Sequence, residues 1–460
     1  MNIMNYKEKW DLLLGEKRFR PKSETIETDA RNSFDRDYSK LVFSAPVRRL
    51  QGKTQVFPLP DDDYPRTRLT HSMEVSFLGG SIGRSIESIL MGKDEISQEC
   101  FGYLPSLLRV AGLVHDLGNT PFGHFGEKAI GDFFKSFFEN NPGCGLSSIE
   151  KADLENFDGN VQTFRILTKL HYFGDNLSYN LSYQTLSSVL KYPVDSLTGN
   201  KGKSAKSISY KKFGYFQSEV EEFSKIVDYL HLGNNRNPVT FILEAADDIA
   251  YRSADIEDSV KQGVCTIDEV IEYVESVLDG NPNSGIIRKE FNRLNEKYAT
   301  LSTKIKNRLF AQKIRVFTQR IMIDAVIKAF RDNYQAIMEG AFNEELLKVS
   351  SANDVNNAFK ELFNNVVLKD KSITRLEIAG YKAIRGLLNL FVPAVLDDNL
   401  RPGSFNDHLV NMISDEQFYI YENYSKKTPY NRLQLAVDYV SGMTDSFAID
   451  LFQRLEGIRV

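Results

Sequence analysis

The chain predicts an all-α protein, mainly helical, with at most a small β-hairpin near residues 47–58. Three observations carry that expectation. Apolar residues return at three and four in segments such as Val75, Leu78 and Ile82, and again through Leu309–Phe330 and Leu376–Leu390. No proline occurs between Pro282 and Pro393, so long helices can run there uninterrupted. Alternating text is short: Arg48, Arg49, Gln51, Lys53 and Gln55 alternate with smaller residues ahead of Val56-Phe57-Pro58.

With 460 residues, 42% hydrophobic and 26% charged, the chain can bury a large core and has an ordinary globular composition. A formal net charge of −5 argues against a protein whose main work is coating nucleic acid. Cys100, Cys144 and Cys265 are widely spaced and odd in number, which suits neither a disulfide framework nor a zinc-thiolate motif. The first twenty residues carry charges where a signal peptide needs an apolar stretch, and the run 386–396 is too short to span a bilayer. A cytoplasmic protein with no membrane partner is expected.

Residues 1–35 read as an N-terminal arm or short helix around Trp10, Leu12, Leu13 and Leu14, of the kind that often docks on a neighbouring subunit. Residues 36–265 read as one domain, because the candidate site residues run from His71 to Asp247. Prolines at 58, 60 and 65 suggest a loop. Helices are expected at about 69–91, 104–116, 126–138, 164–170, 183–191 and 238–260. The stretch 141–159, rich in Gly, Asn and acidic residues, reads as a loop. The lysine-rich run 195–212 reads as a solvated loop in its middle. Residues 266–460 read as a helical layer packed on the core, closing the site and contributing to subunit contacts.

The chemistry concentrates in Val114–Glu127, VHDLGNTPFGHFGE. His115 and Asp116 end an apolar helix, and a Gly/Pro loop leads to His124 and Glu127. A lone His-Asp pair is commonly structural, but His71 upstream and the adjacent Asp247 and Asp248 downstream lie in further apolar helices. Charges rarely sit there without a partner or a metal. Two histidines and two aspartates from three helices would give four N/O ligands for a divalent ion such as Mn, Fe, Mg, Co or Zn. His124 and Glu127, at i and i+3, share a helix face, where Glu127 is either a functional carboxylate or an N-terminal cap. Asp247, Tyr251 and Asp255, at i, i+4 and i+8, form either a ligand-facing row or an internal hydrogen-bonded ladder.

These residues resemble the HD-superfamily deoxynucleoside triphosphate triphosphohydrolases, the dGTPase-like enzymes. The pattern H…HD…D falls on His71, His115, Asp116 and Asp247. Blocks at 48–59, 66–75, 115–127, 157–167, 190–193, 211–219, 244–251 and 441–451 extend it. The resemblance implies a helical HD-domain fold and four metal ligands, His71, His115, Asp116 and Asp247, with Asp248 an internal carboxylate. It implies that Gln55 and Val56 read the base and that Arg68, Lys191, Tyr192 and Lys212 hold the polyphosphate; Asn160, in the block 157–167, and Tyr251 and Asp255, from their helical row, are further candidate substrate contacts. His124 is the candidate general acid, with Glu127 orienting it.

The activity so implied is metal-dependent hydrolysis of dGTP or other dNTPs at the α-phosphorus, giving a deoxynucleoside and inorganic triphosphate. The cofactor would be Mn, Mg, Fe or Co. The partners implied are a dNTP substrate, a dNTP allosteric activator, single-stranded DNA, and further copies in a homo-oligomer, with a hexamer favoured. Three other readings compete: an HD phosphohydrolase for another nucleotide, a non-catalytic nucleotide- or DNA-binding regulator, and a purely structural helical protein. The presence of all four ligand positions and both proton-transfer candidates weighs against the last two.

Overall fold

The computed structural model describes residues 4–21, 29–57, 66–172, 174–205 and 207–458. Among these the secondary structure is helical and no strand forms; one isolated antiparallel bridge joins Thr54 to Thr67. The hairpin that the sequence allowed near 47–58 is replaced by helix. Ser44 caps a turn by accepting from the Val47 N–H, and Pro46 sits in that first turn, so Ala45–Arg49 coils and runs into a tight turn at Leu50–Gly52. The expected loop prolines at 58, 60 and 65, and Lys206 of the lysine-rich run, lie outside the described residues.

The centre is a packing of four long helices, Arg68–Met91, Tyr103–Val114, Pro238–Lys261 and Thr303–Asp332. Their apolar faces meet around Val75, Ile82, Leu108, Ile249, Met322 and Phe330, all buried. Gly112 matters to this packing. A Cβ there would stand 2.7 Å from the Ser76 backbone, so its absence lets Tyr103–Val114 lie directly against Arg68–Met91. That close approach brings the end of one helix, His115, beside the first turn of the other, His71.

The N-terminal arm docks on its own chain. Its helix, Tyr6–Leu13, opens with a capping box between Asn5 and Glu8 and buries Trp10 completely. The Trp10 indole donates to the Tyr334 hydroxyl at 2.8 Å, because a buried N–H needs an acceptor. Further on, Arg18 is buried against Asp37 at 2.6 Å.

The C-terminal region falls into two groups. Ile267–Leu278, Ser284–Lys297 and Asn353–Asn365 enclose Phe291, Phe310 and Phe359. Lys371–Leu396, Pro429–Ser441 and Asp445–Leu455 instead cover the helix His124–Asn140, whose Phe133 and Phe134 meet Leu387, Phe391 and Val437. Burying a ring such as Phe134 contributes about 2–3 kcal/mol, so this second group holds the His124 helix firmly.

Most helices lie within a few residues of expectation, but the loop expected at 141–159 contains one, Ser148–Glu155. Ser147 and Glu150 make a reciprocal capping box that starts it. Its composition concealed a local start signal.

Candidate active site

A cavity of about 540 Å³ opens between the His124 helix, the Pro238–Lys261 helix and the C-terminal region. That volume lies within the range of small-molecule sites. At its floor three helices converge. His71 stands in the first turn of Arg68–Met91, His115 and Asp116 follow the end of Tyr103–Val114, and Asp247 sits midway along Pro238–Lys261. One ligand atom each from His71, His115 and Asp116 lies within 4.8 Å of the others. Asp247 is outside that tight trio, yet its Oδ1 is 3.1 Å from His71 Nε2 and 3.4 Å from His115 Nε2.

The environment of His115 tests whether these groups suit a metal. The ring is buried, and Nδ1 donates to the Gly112 carbonyl at 2.8 Å, so the proton is fixed on that nitrogen. Nε2 makes no hydrogen bond and faces Asp116 Oδ1 and Asp247 Oδ1, each 3.4 Å away, whose charges raise the ring's pKa against its burial. A buried imidazole with its far nitrogen anchored and its near nitrogen unpartnered is how histidine ligands are held. Together with the oxygen donors of Asp116 and Asp247, the set fits a hard or borderline divalent ion.

The carboxylates are kept charged by cations. Burial opposes the charge of Asp116, but His115 and Arg68 more than offset it and hold its carboxyl below the usual carboxylate range. Asp247 is likewise held well below that range despite burial, by Lys191 and His115. Lys191 Nζ lies 3.0 Å from Asp247 Oδ2 and Arg68 Nη1 2.8 Å from Asp116 Oδ2. Arg68 sits at a helix N-terminus, where a cation is disfavoured by the dipole, and the ion pair to Asp116 compensates. The Arg68 Nε is buried without a partner, which leaves the guanidinium incompletely satisfied beside the cavity.

His124 and Glu127 line the same cavity. Nδ1 of His124 is 2.8 Å from Glu127 Oε2, and Glu127 Oε1 accepts the Gly159 N–H at 2.9 Å. Glu127 is therefore a shared acceptor and not a simple cap. The His124 ring is exposed to the cavity, with Nε2 the nitrogen left for a substrate. Its pKa is raised, chiefly by the hydrogen bond to Glu127, although burial, Lys212 and Arg68 work against the rise.

The remaining expected contacts mostly line the same cavity: Gln55, Val56, Asn160, Lys191, Tyr192, Lys212 and Tyr251. Gln55 Oε1 is buried without a partner. Lys212 is paired with Asp158, and Asn160 Nδ2 donates to the same carboxylate at 2.7 Å. The Tyr251 hydroxyl, pushed up to about 12 by burial, accepts from Arg252.

Asp255 does not line the cavity. It is buried one helical turn further on, with Oδ2 unpartnered, and burial together with Asp258 raises its pKa well above the carboxylate range. The row Asp247, Tyr251, Asp255 thus leaves the cavity after its second member, because the helix runs on into the apolar group around Ile256 and Phe310. Sequence reasoning also missed Phe122, Asn119 and the wall supplied by Phe363, Ile373 and Leu376. Only the last of these was foreshadowed, by the expectation that C-terminal helices close the site.

No helix of the described residues is long and apolar enough to cross a membrane. Comparison with known proteins adds a family. The HD domain matches residues 68–155, and the phosphohydrolase-associated domain matches residues 347–454. The deoxyguanosinetriphosphate triphosphohydrolase-like protein of Listeria monocytogenes is 37% identical, covering 98% of this chain and 100% of its own length. The protein so described from Synechocystis is 32% identical over 98% of this chain and 99% of its own. The deoxyguanosinetriphosphate triphosphohydrolase of Serratia proteamaculans is 30% identical over 95% and 97%.

Proposed function

The chain belongs to the deoxyguanosinetriphosphate triphosphohydrolase-like family of HD-domain hydrolases, and from that premise we propose that it hydrolyses dGTP, among the dNTPs, at the α-phosphorus. The carrying observation is the pairing in one cavity of a group of side chains able to hold a divalent ion with a separate His124–Glu127 pair.

In this reading His71, His115, Asp116 and Asp247 hold the ion. Such an ion lowers the pKa of water and polarises a phosphoryl oxygen. Arg68, Lys191 and Lys212 neutralise and orient the triphosphate, the electrostatic contribution that dominates phosphoryl transfer. Each now bonds a carboxylate, to Asp116, Asp247 and Asp158 respectively, so each is preplaced rather than free. Gln55 offers its unpartnered Oε1 to the edge of the base, with Val56 beside it.

Water attacks the α-phosphorus and the bond from phosphorus to the 5′ oxygen breaks. His124 gives its Nε2 proton to that oxygen, and Glu127 stabilises the imidazolium beforehand through Nδ1. The deoxynucleoside leaves with a 5′ hydroxyl, and the triphosphate keeps the oxygen of water.

The test is product identity. Metal-loaded protein is incubated with each dNTP, alone and mixed, and products are resolved by anion exchange. Deoxynucleoside plus intact triphosphate is the expected outcome. Monophosphate or diphosphate products would move the attack to another phosphorus, and no turnover with Mn, Mg, Fe or Co would remove the hydrolytic reading.

A further inference from the structure

The block 441–451 has no part in the chemistry above, yet it reaches the cavity from more than three hundred residues away. Asp445 opens the helix Asp445–Leu455 and is buried. Its two oxygens divide between two pocket segments: Oδ2 accepts the Thr54 N–H at 2.9 Å, and Oδ1 accepts the Phe122 N–H at 3.0 Å. Thr54 immediately precedes Gln55 and Val56. Phe122 is followed by Gly123 and His124.

Two neighbours reinforce the link. Lys53 Nζ, itself buried, donates to the carbonyls of Asn119 at 2.5 Å and Ser441 at 3.1 Å. The same three segments are therefore joined a second time. Phe122 adopts φ +62°, a left-handed conformation that a residue with a Cβ holds only when its surroundings enforce it. Its ring lies over Gly380, where a Cβ would come within 2.2 Å of it.

We propose that Asp445 is a positioning residue of the nucleotide site, a brace that sets the segment carrying Gln55 and Val56 against the turn carrying His124. Each carboxylate oxygen fixes one backbone N–H, so one side chain ties the base-reading end directly to the turn of the proton donor. The brace belongs to the C-terminal region, which makes that region part of the site. Misplacing a substrate contact by about 1 Å can cost on the order of a hundredfold in rate, so a brace of this kind acts on turnover without touching substrate.

The inference rests on the proposed nucleotide site and is tested so that the two can fail separately. Asp445→Asn, Asp445→Glu and Gly380→Ala are compared with wild-type full chain and with Tyr334→Phe, a remote variant that weakens the anchoring of Trp10. Dissociation constants for dGTP and dTTP are measured by equilibrium dialysis in EDTA. Steady-state kinetics, bound metal and thermal unfolding are followed alongside.

Asp445→Asn keeps only one acceptor oxygen. It should bind metal as wild type does, while KM and the dGTP dissociation constant rise about tenfold and the dGTP-to-dTTP affinity ratio moves toward one. Asp445→Glu should recover part of the loss. Gly380→Ala should give the same signature from the opposite side of Phe122, and Tyr334→Phe should lower only the unfolding temperature. Wild-type affinity and base preference in Asp445→Asn would overturn the proposal; if that variant does not fold, the same result in Gly380→Ala would. Weakened dGTP binding in Asp445→Asn, with no triphosphate released by wild type, would keep the brace and remove the hydrolytic reading. No dNTP binding by wild type would overturn both.

Discussion

Nδ1 of His115 donates to the Gly112 carbonyl at 2.8 Å, and this single bond turns Nε2 toward His71 and Asp247. The end of a helix thereby aims the ring: the imidazole satisfies a terminal carbonyl and has its Nδ1 proton fixed in return.

The first prediction concerns that ligand set. Asp247→Ala should lose bound metal and activity together, and its stability should fall slightly, because the half-buried Lys191 is left without its carboxylate partner. Asp248→Asn, altering the neighbouring carboxylate, should keep full metal stoichiometry. Elemental analysis of the folded fraction decides it, and a metal-replete Asp247→Ala protein would remove Asp247 from the ligands.

Proton donation makes a second prediction. His124→Ala should keep metal and substrate binding while kcat falls by about two orders of magnitude. A histidine acting as acid must carry its proton, so kcat should fall as pH rises through the raised His124 pKa. In Glu127→Gln the bond that chiefly raises this pKa loses its charge, while Lys212 and Arg68 still lower it. The alkaline fall should then begin at lower pH. A kcat profile that does not move between wild type and Glu127→Gln would reassign the proton donor.

A third prediction lies outside the cavity. Burial pushes the Asp153 carboxyl up to about 7, with Glu219 adding to the rise, despite hydrogen bonds from Tyr430 and the Gln217 N–H. From the ordinary value of 3.8 up to about 7 the folded state holds this proton and the unfolded state does not. Stability should therefore decline as pH rises through that window and level off above it, by on the order of a few kcal/mol. Asp153→Asn carries no charge at any pH, so the difference between wild type and variant in urea midpoints should slope across the window. Parallel curves would show that Asp153 is ionised in the folded protein.

What the sequence made legible was local. The helices bearing His71, His115 and Asp247 announce themselves by apolar spacing, and the chain brings the three residues together as the dGTPase-like pattern implies. The Ser148–Glu155 helix was hidden because its capping box lies in text otherwise typical of a loop. Asp255 lies beyond the cavity, because i, i+8 spacing gives a shared face but not the point where a helix leaves a cavity. Asp445 falls in the block 441–451, but its role is not legible there: its bonds to Thr54 and Phe122 span 391 and 323 residues, and a contact at that separation leaves no periodic trace.

The most direct measurement follows the oxygen. Hydrolysis of dGTP in ¹⁸O-enriched water, with products separated and weighed by mass spectrometry, should place one ¹⁸O in the inorganic triphosphate and none in deoxyguanosine. That result locates the attack at the α-phosphorus, with the 5′ oxygen leaving on the deoxynucleoside. Label in the 5′ hydroxyl, or in a pyrophosphate or orthophosphate product, would contradict it.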